Sequence, residues 1–222
     1  MINIAIDGPG GAGKSSVAKA VASRLGIIYV DTGALYRTVG YYVRKKNVDP
    51  HDAQGVAALL PEIDLEIKFE DGTQWVYLNG ENLGDKIREP EISMYASAVS
   101  AIPTVREFLL ETQRSIARAN SVVMDGRDIG TAVFPDAELK IFVVASAEIR
   151  AQRRYDELQA KGQEASFDEI LANVKERDYI DQNREVSPLR QAEDALLLDN
   201  SNLTIEEQKQ WLAAEFQKAI NG

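Results

Sequence analysis

The basic side chains of this 222-residue chain cluster in ways that suit phosphate chemistry. Lys14 closes the run Gly8-Pro9-Gly10-Gly11-Ala12-Gly13-Lys14-Ser15, which fits G-x-x-x-x-G-K-[ST]. Glycines there let backbone N–H groups wrap phosphate oxygens. The lysine reaches the β- and γ-phosphates, and the Ser15 hydroxyl can ligate Mg²⁺. Such a loop implies a bound nucleotide and leaves open what becomes of it.

Further polar clusters lie downstream. Asp31, Thr32, Tyr36 and Arg37 follow an apolar run, where sheets of this kind bind ligands at the carboxyl ends of their strands. Asp125 ends another apolar run and is the candidate to hold Mg²⁺ or its waters. Arg127 and Asp128 come next, set among glycines. They can meet a ligand, or pair with each other. Arg150, Arg153 and Arg154 share one helical face, and Arg177, Asp181 and Arg184 repeat that spacing on the next helix. Two such rows suit a lid over a polyphosphate, because arginine is always charged and forks onto phosphate. Glu148, Asp156, Glu157, Glu176 and Asp178 lie close enough to make the same rows a neutralised, solvated face.

Other chemistries are excluded or unsupported. The chain has no cysteine, so disulfides, thiolate metal sites and a cysteine nucleophile are out. Its single histidine, His51, sits beside Pro50 and Asp52 and reads as a solvated loop residue. There is no Ser-His-Asp set, zinc spacing or paired-carboxylate pattern. Phosphoryl transfer remains, and an acceptor that is itself a phosphate needs no general base. A net charge of −10 argues against nucleic acid or an anionic membrane as the main partner. No apolar run is long enough for a membrane span, and the N-terminus lacks the features of a signal peptide, so a cytoplasmic protein is expected.

The elements that must hold these residues follow from pattern. Apolar runs at 2–6, 27–31, 121–125, 139–145 and 195–199 predict strands of a parallel sheet, buried on both faces and separated mostly by helices. A helix is predicted from Ser16 to Leu25, stopped by Gly26. Ser146 caps a helix over 147–161 that ends at Gly162, and boxes at Ser166–Glu169 and Thr204–Glu207 start two more, the last covering 205–220. Within 63–90, two alternating runs flank Asp71-Gly72 and a further turn is marked by Asn79-Gly80, predicting a small antiparallel sheet. It either covers a sheet edge or forms a lobe that closes over a substrate. A single domain is expected, with core segments 1–60, 105–147 and 186–222, an insertion at 61–104 and a lid at 148–185.

Taken together these segments resemble the bacterial cytidylate kinases. IDGPGGAGKSS is similar to that family's phosphate loop and DTGALYR to its first acceptor motif. MDGRDIGTAVFPDA and KERDYIDQNREVSPL are similar to its more specific segments. The resemblance implies a three-layer P-loop kinase core, a five-stranded parallel sheet of order 2-3-1-4-5, and a lobe carrying the small sheet. It implies transfer of the ATP γ-phosphoryl group to CMP or dCMP with Mg²⁺, by a monomer. Gly8, Pro9, Gly10, Gly11, Ala12, Gly13, Lys14, Ser15, Ser16 and Arg154 would bind ATP, with Ser15 and Asp125 toward Mg²⁺. Thr32, Tyr36, Arg37, Ser97, Arg106, Arg127, Asp128, Arg177, Asp181 and Arg184 would bind the acceptor. Lys14, Arg127, Arg150, Arg153 and Arg184 would stabilise the transferring group. Thr32 stands where the family motif often has serine, and Ser15-Ser16 where Gly-Thr is commoner, so either serine could be the magnesium ligand. Two other readings are a kinase for another small acceptor and a nucleotide-hydrolysing switch. The latter is weakened by the absence of an N-K-x-D pattern.

Overall fold

The computed structural model describes residues 1–70 and 73–221. Five parallel strands form the central sheet: β1 (Asn3–Asp7), β2 (Ile28–Asp31), β6 (Val122–Gly126), β7 (Leu139–Val144) and β8 (Leu196–Asp199). Their order is β2-β6-β1-β7-β8, which is 2-3-1-4-5 when these five alone are counted along the chain. β1 therefore lies in the middle, with Ile6 in register with Asp125 on one side and Ile141 on the other. The loops that follow β1 and β6 leave the same edge of the sheet side by side. Ile4, Ala5 and Ile6, and Val122, Val123 and Met124, are all buried, as expected for strands covered on both faces.

Helix α1 (Lys14–Leu25) begins two residues earlier than its sequence pattern suggests. Gly13 takes the left-handed conformation (φ 97°), which lets the glycine loop turn directly into the helix. No side chain caps that end. Gly26 ends the helix in the same left-handed region, donating to Ala22. Helices α6 (Ala147–Ala160) and α7 (Phe167–Asn183) start with Ser146 and Ser166 capping, respectively, the backbone N–H groups of Ile149 and Glu169. Thr204 and Glu207 close a reciprocal box at the head of α8 (Ile205–Asn221).

One expectation is corrected here. Arg184 is not the last turn of α7. It lies one residue beyond it with extended backbone (φ −61°, ψ 145°), because the chain turns away toward Ser187, whose φ is 48°. Leaving the helix swings its guanidinium inward.

The segment between β2 and β6 builds a second lobe. α2 (Thr32–Lys45), α3 (Ala53–Leu59), α4 (Pro90–Ser100) and α5 (Pro103–Ala119) share one core with the antiparallel strands β3 (Leu65–Glu70) and β4 (Thr73–Leu78), while the exposed β5 (Glu81–Asn82) completes the small sheet. Asn79 and Gly80 both have positive φ and make the two-residue turn between β4 and β5, as Asn-Gly predicts. The Asp71-Gly72 turn lies outside the described residues. α2 and α4 pack closely at Gly40, where a Cβ would stand 2.9 Å from the backbone nitrogen of Ala96.

Candidate active site

The glycine loop after β1 is surrounded by cations. Lys14 is buried, and its ammonium donates to the Pro9 carbonyl at 2.8 Å. A Cβ on Gly10 would lie 3.2 Å from one guanidinium nitrogen of Arg127 and 3.6 Å from one of Arg177, so both groups lean over the loop. Arg150, buried on α6, donates to the carbonyls of Gly10 (3.1 Å) and Ala145 (2.9 Å). Arg153 bonds the Asn200 carbonyl at 2.7 Å. Together with Arg154, these two line a hollow of about 290 Å³ over Gly11, Gly13, Lys14, Ser15 and Ser16.

Most of these cations already face carboxylates. Arg127 pairs with Asp181 (2.8 Å), Arg150 with Asp178 through both nitrogens, Arg37 with Asp31 (2.7 Å), and Arg154 with Glu157 (2.8 Å). Arg127 and Asp128, adjacent in sequence, do not pair with each other. Asp128 is buried and turns to Arg106 and Arg184. Positive charge is nonetheless in excess at the loop. Burial, and then the neighbouring Arg127, push Lys14 well below the ordinary lysine range. The same two causes bring Arg177 down to about 10. The Nε of Arg177 is buried without a hydrogen-bond partner.

The remaining acceptor candidates form one buried cluster between α4, α5 and the loop after β6. The Arg106 guanidinium lies 5.4 Å from the Tyr36 ring centroid and bonds both Asp128 and the Ser100 carbonyl. Arg184 reaches Ser100 Oγ (3.3 Å) and Asp128 (3.4 Å). Ser97 Oγ is buried beside them with no partner. Thr32 donates its hydroxyl to the Asp125 carbonyl at 2.7 Å, which ties the head of α2 to the end of β6.

The cytidylate kinase family model matches residues 4–218. The chain belongs to the cytidylate kinase family. It is 57% identical over 224 residues to the cytidylate kinase of Bacteroides fragilis, spanning 99% of this chain and 98% of that one. Identity to the cytidylate kinase of Caldicellulosiruptor bescii is 52%, over 99% and 97% of the two chains. Among solved structures, an uncharacterized protein from Eubacterium ventriosum matches with a TM-score of 0.51 at 13% identity, over 98% and 99% of the chains, a likeness of fold alone.

Four polar residues of this cytidylate kinase family member carry the site without standing out in its sequence. Asp7 ends β1 and accepts from the backbone N–H groups of Ile129 (2.8 Å) and Gly130 (2.7 Å), which pins the loop that bears Asp128. Tyr29 donates to Asp125 at 3.3 Å. Asn200 donates to the Ala12 carbonyl at 2.7 Å, and a Cβ on Gly13 beneath it would stand 2.3 Å from the Asn200 side-chain nitrogen and force it to shift. Gln74 bonds the backbone of Asp31. A polar residue ending a buried strand was a signal for Asp7. The others arrive from distant segments and leave no local signature.

Asp7 gives a pH dependence. Burial pushes its carboxyl up to about 7, against the opposing effect of its bonds from Gly130 and Ile129. The folded state then holds a proton that the unfolded chain, with an ordinary value of 3.8, has released. Stability contributed by this group therefore falls as pH rises from about 4 to about 7, and the penalty is complete above that. Asp31 and Asp181, both held low, the first chiefly by Arg37 and the second by Arg127, act instead below that window. Melting curves without nucleotide should show Tm declining less steeply from pH 4 to 7 in Asp7→Asn than in the unsubstituted protein. Equal slopes would mean Asp7 is not the group responsible.

Proposed function

We propose that this chain transfers the γ-phosphoryl group of ATP to CMP or dCMP, giving ADP and CDP or dCDP. The observation that carries the reading is the convergence of Lys14, Arg127 and Arg177 on the glycine loop, with the buried Arg106–Asp128 pair on its acceptor side. The first set calls for a polyanion. The second presents donors and an acceptor side by side, which suits the edge of cytosine. The cytidylate kinases of the family support the same acceptor.

In this reading the backbone of Gly8–Gly13 and the Lys14 ammonium bind the ATP phosphates, and Arg150, Arg153 and Arg154 lie on the donor side. Arg37, Arg127 and Arg184 receive the acceptor phosphate. Tyr36 packs in the acceptor pocket, and Ser97, Arg106 and Asp128 read the base. Arg177 and Asp181 face the sugar, with Thr32 nearby, so these residues set the preference between ribose and deoxyribose. Catalysis is positioning plus charge stabilisation. An acceptor phosphate is already nucleophilic, and arginines held in place neutralise charge as the phosphoryl group moves. A single chain supplies both subsites, so a monomer suffices.

Ser15 and Asp125 fit Mg²⁺. The serine hydroxyl donates to the Asp125 carboxylate at 2.7 Å, giving two neighbouring oxygens of the hard type this ion prefers. Burial and the nearby Asp31 push the Asp125 carboxyl up, a strain that a cation relieves. Ser16 shows no such bond, so Ser15 is the assigned residue. When bound, Mg²⁺ would offset the negative charge of the phosphates.

ADP formation from Mg·ATP, measured with CMP, dCMP, UMP, AMP, GMP, dTMP or no acceptor, tests the proposal. Strong stimulation by CMP or dCMP alone is expected. A rate indifferent to every acceptor would instead favour nucleotide hydrolysis.

A further inference from the structure

β2 is an outer strand of the parallel sheet, and an outer strand leaves backbone groups without a neighbour. At Asp31 both of these groups are taken by one side chain from the other lobe. Gln74 Oε1 accepts from the Asp31 N–H at 2.7 Å, and Gln74 Nε2 donates to the Asp31 carbonyl at 3.2 Å. A carboxamide is the side-chain analogue of a peptide group, so this is in effect an added rung of the ladder. Among the described residues, these are the hydrogen bonds that join the three antiparallel strands to the parallel sheet.

Asp31 is also the last residue before α2. Its carboxylate caps that helix at Ala34 (3.0 Å) and holds Arg37 at 2.7 Å. Beside this bridge lies a cleft of about 800 Å³, lined by Tyr29, Arg37, Phe69 and Trp75 among others. The two sheets are therefore not packed tightly against each other here. Phe69 of β3 packs against the buried cluster around Val30 and Met124, and the Gln74 bonds add a directional tie at the strand edge.

From this arrangement we infer that Gln74 is a positioning residue for acceptor binding. It sets the backbone of Asp31, and through Asp31 the guanidinium of Arg37. It thereby couples the placement of the antiparallel lobe to capture of the acceptor phosphate. The inference rests on the proposed role of Arg37, and its test separates the two.

Gln74→Met keeps length and removes both bonds. The full-length enzyme should show KM for CMP raised about 5- to 10-fold, the scale of one or two net hydrogen bonds. KM for ATP and kcat should stay within about twofold. In an Arg37→Ala background the same substitution should add less than about twofold, because the residue it positions is gone. An unchanged KM for CMP in Gln74→Met, a parallel rise in KM for ATP, or an undiminished effect beside Arg37→Ala would each overturn the inference. If Arg37→Ala alone leaves KM for CMP unchanged, the role assigned to Arg37 fails and this inference with it.

Discussion

Lys14→Met is expected to lower kcat for CMP phosphorylation by about 10³-fold, the effect of removing a preorganised charge from a water-poor site. It should also raise the melting temperature of the nucleotide-free protein. The two effects share one cause. Lys14 is buried and crowded by Arg127, so its ammonium is unfavourable until an anion arrives. Methionine has nearly the same shape and carries no charge to desolvate, while the lost bond to Pro9 subtracts only part of the gain. Sites of this kind exchange stability for activity. Steady-state kinetics with saturating ATP and CMP, together with a thermal melt, check both parts. A kcat within tenfold of the unsubstituted enzyme would remove Lys14 from the catalytic assignment.

The second large effect concerns Asp128. It lies between Arg106 and Arg184, with all three side chains at most 8% exposed. Asp128→Ala would leave two buried guanidinium groups facing each other. Loss of one partner from a buried ion pair typically costs about 3–5 kcal/mol. For a chain of this size that is a Tm lower by about 10 °C. The same substitution removes the acceptor half of the proposed base-reading pair. CMP should then be favoured over UMP by about 1–3 kcal/mol less than before. Asp128→Asn separates the two consequences, since it keeps shape and an acceptor oxygen but loses charge. Selectivity between CMP and UMP that survives in Asp128→Ala would sink the base-reading role, whatever happens to stability.

Much of the frame was legible because it is local. Strand β1, its glycine loop and the helix after it follow from one short window of sequence. Gly26, Ser146, Ser166 and the Thr204–Glu207 box announce helix ends through chemistry confined to a turn, and Asn79-Gly80 does the same for a hairpin. Which residues carry charge near the site was also readable. Their partners were not. Arg106 and Asp128 stand 22 positions apart and Arg127 and Asp181 54 apart, so their pairing depends on how α5 and α7 dock. Arg150, Arg153 and Arg154 share a face by spacing, yet Arg150 is buried against Asp178 and the loop while Arg154 stays with Glu157. Arg184 lies one residue past the end of α7, which helix periodicity alone does not reveal. Gln74 illustrates the limit most plainly. In an alternating strand it is merely a polar position, and only the open edge of β2 gives it a task.

The pairing of site arginines with the protein's own carboxylates bears on which anions can enter. Chloride or free phosphate, meeting one guanidinium at a time, must displace a carboxylate held by short, partly buried contacts and gains little by doing so. In the proposed reading, a nucleotide phosphate chain would engage several of these cations together, and its base and sugar would add contacts of their own. Its advantage is multiplied as in any multivalent binder. On that reading, the internal carboxylates would therefore make a lone small anion a poor competitor for the paired arginines Arg37, Arg127 and Arg150.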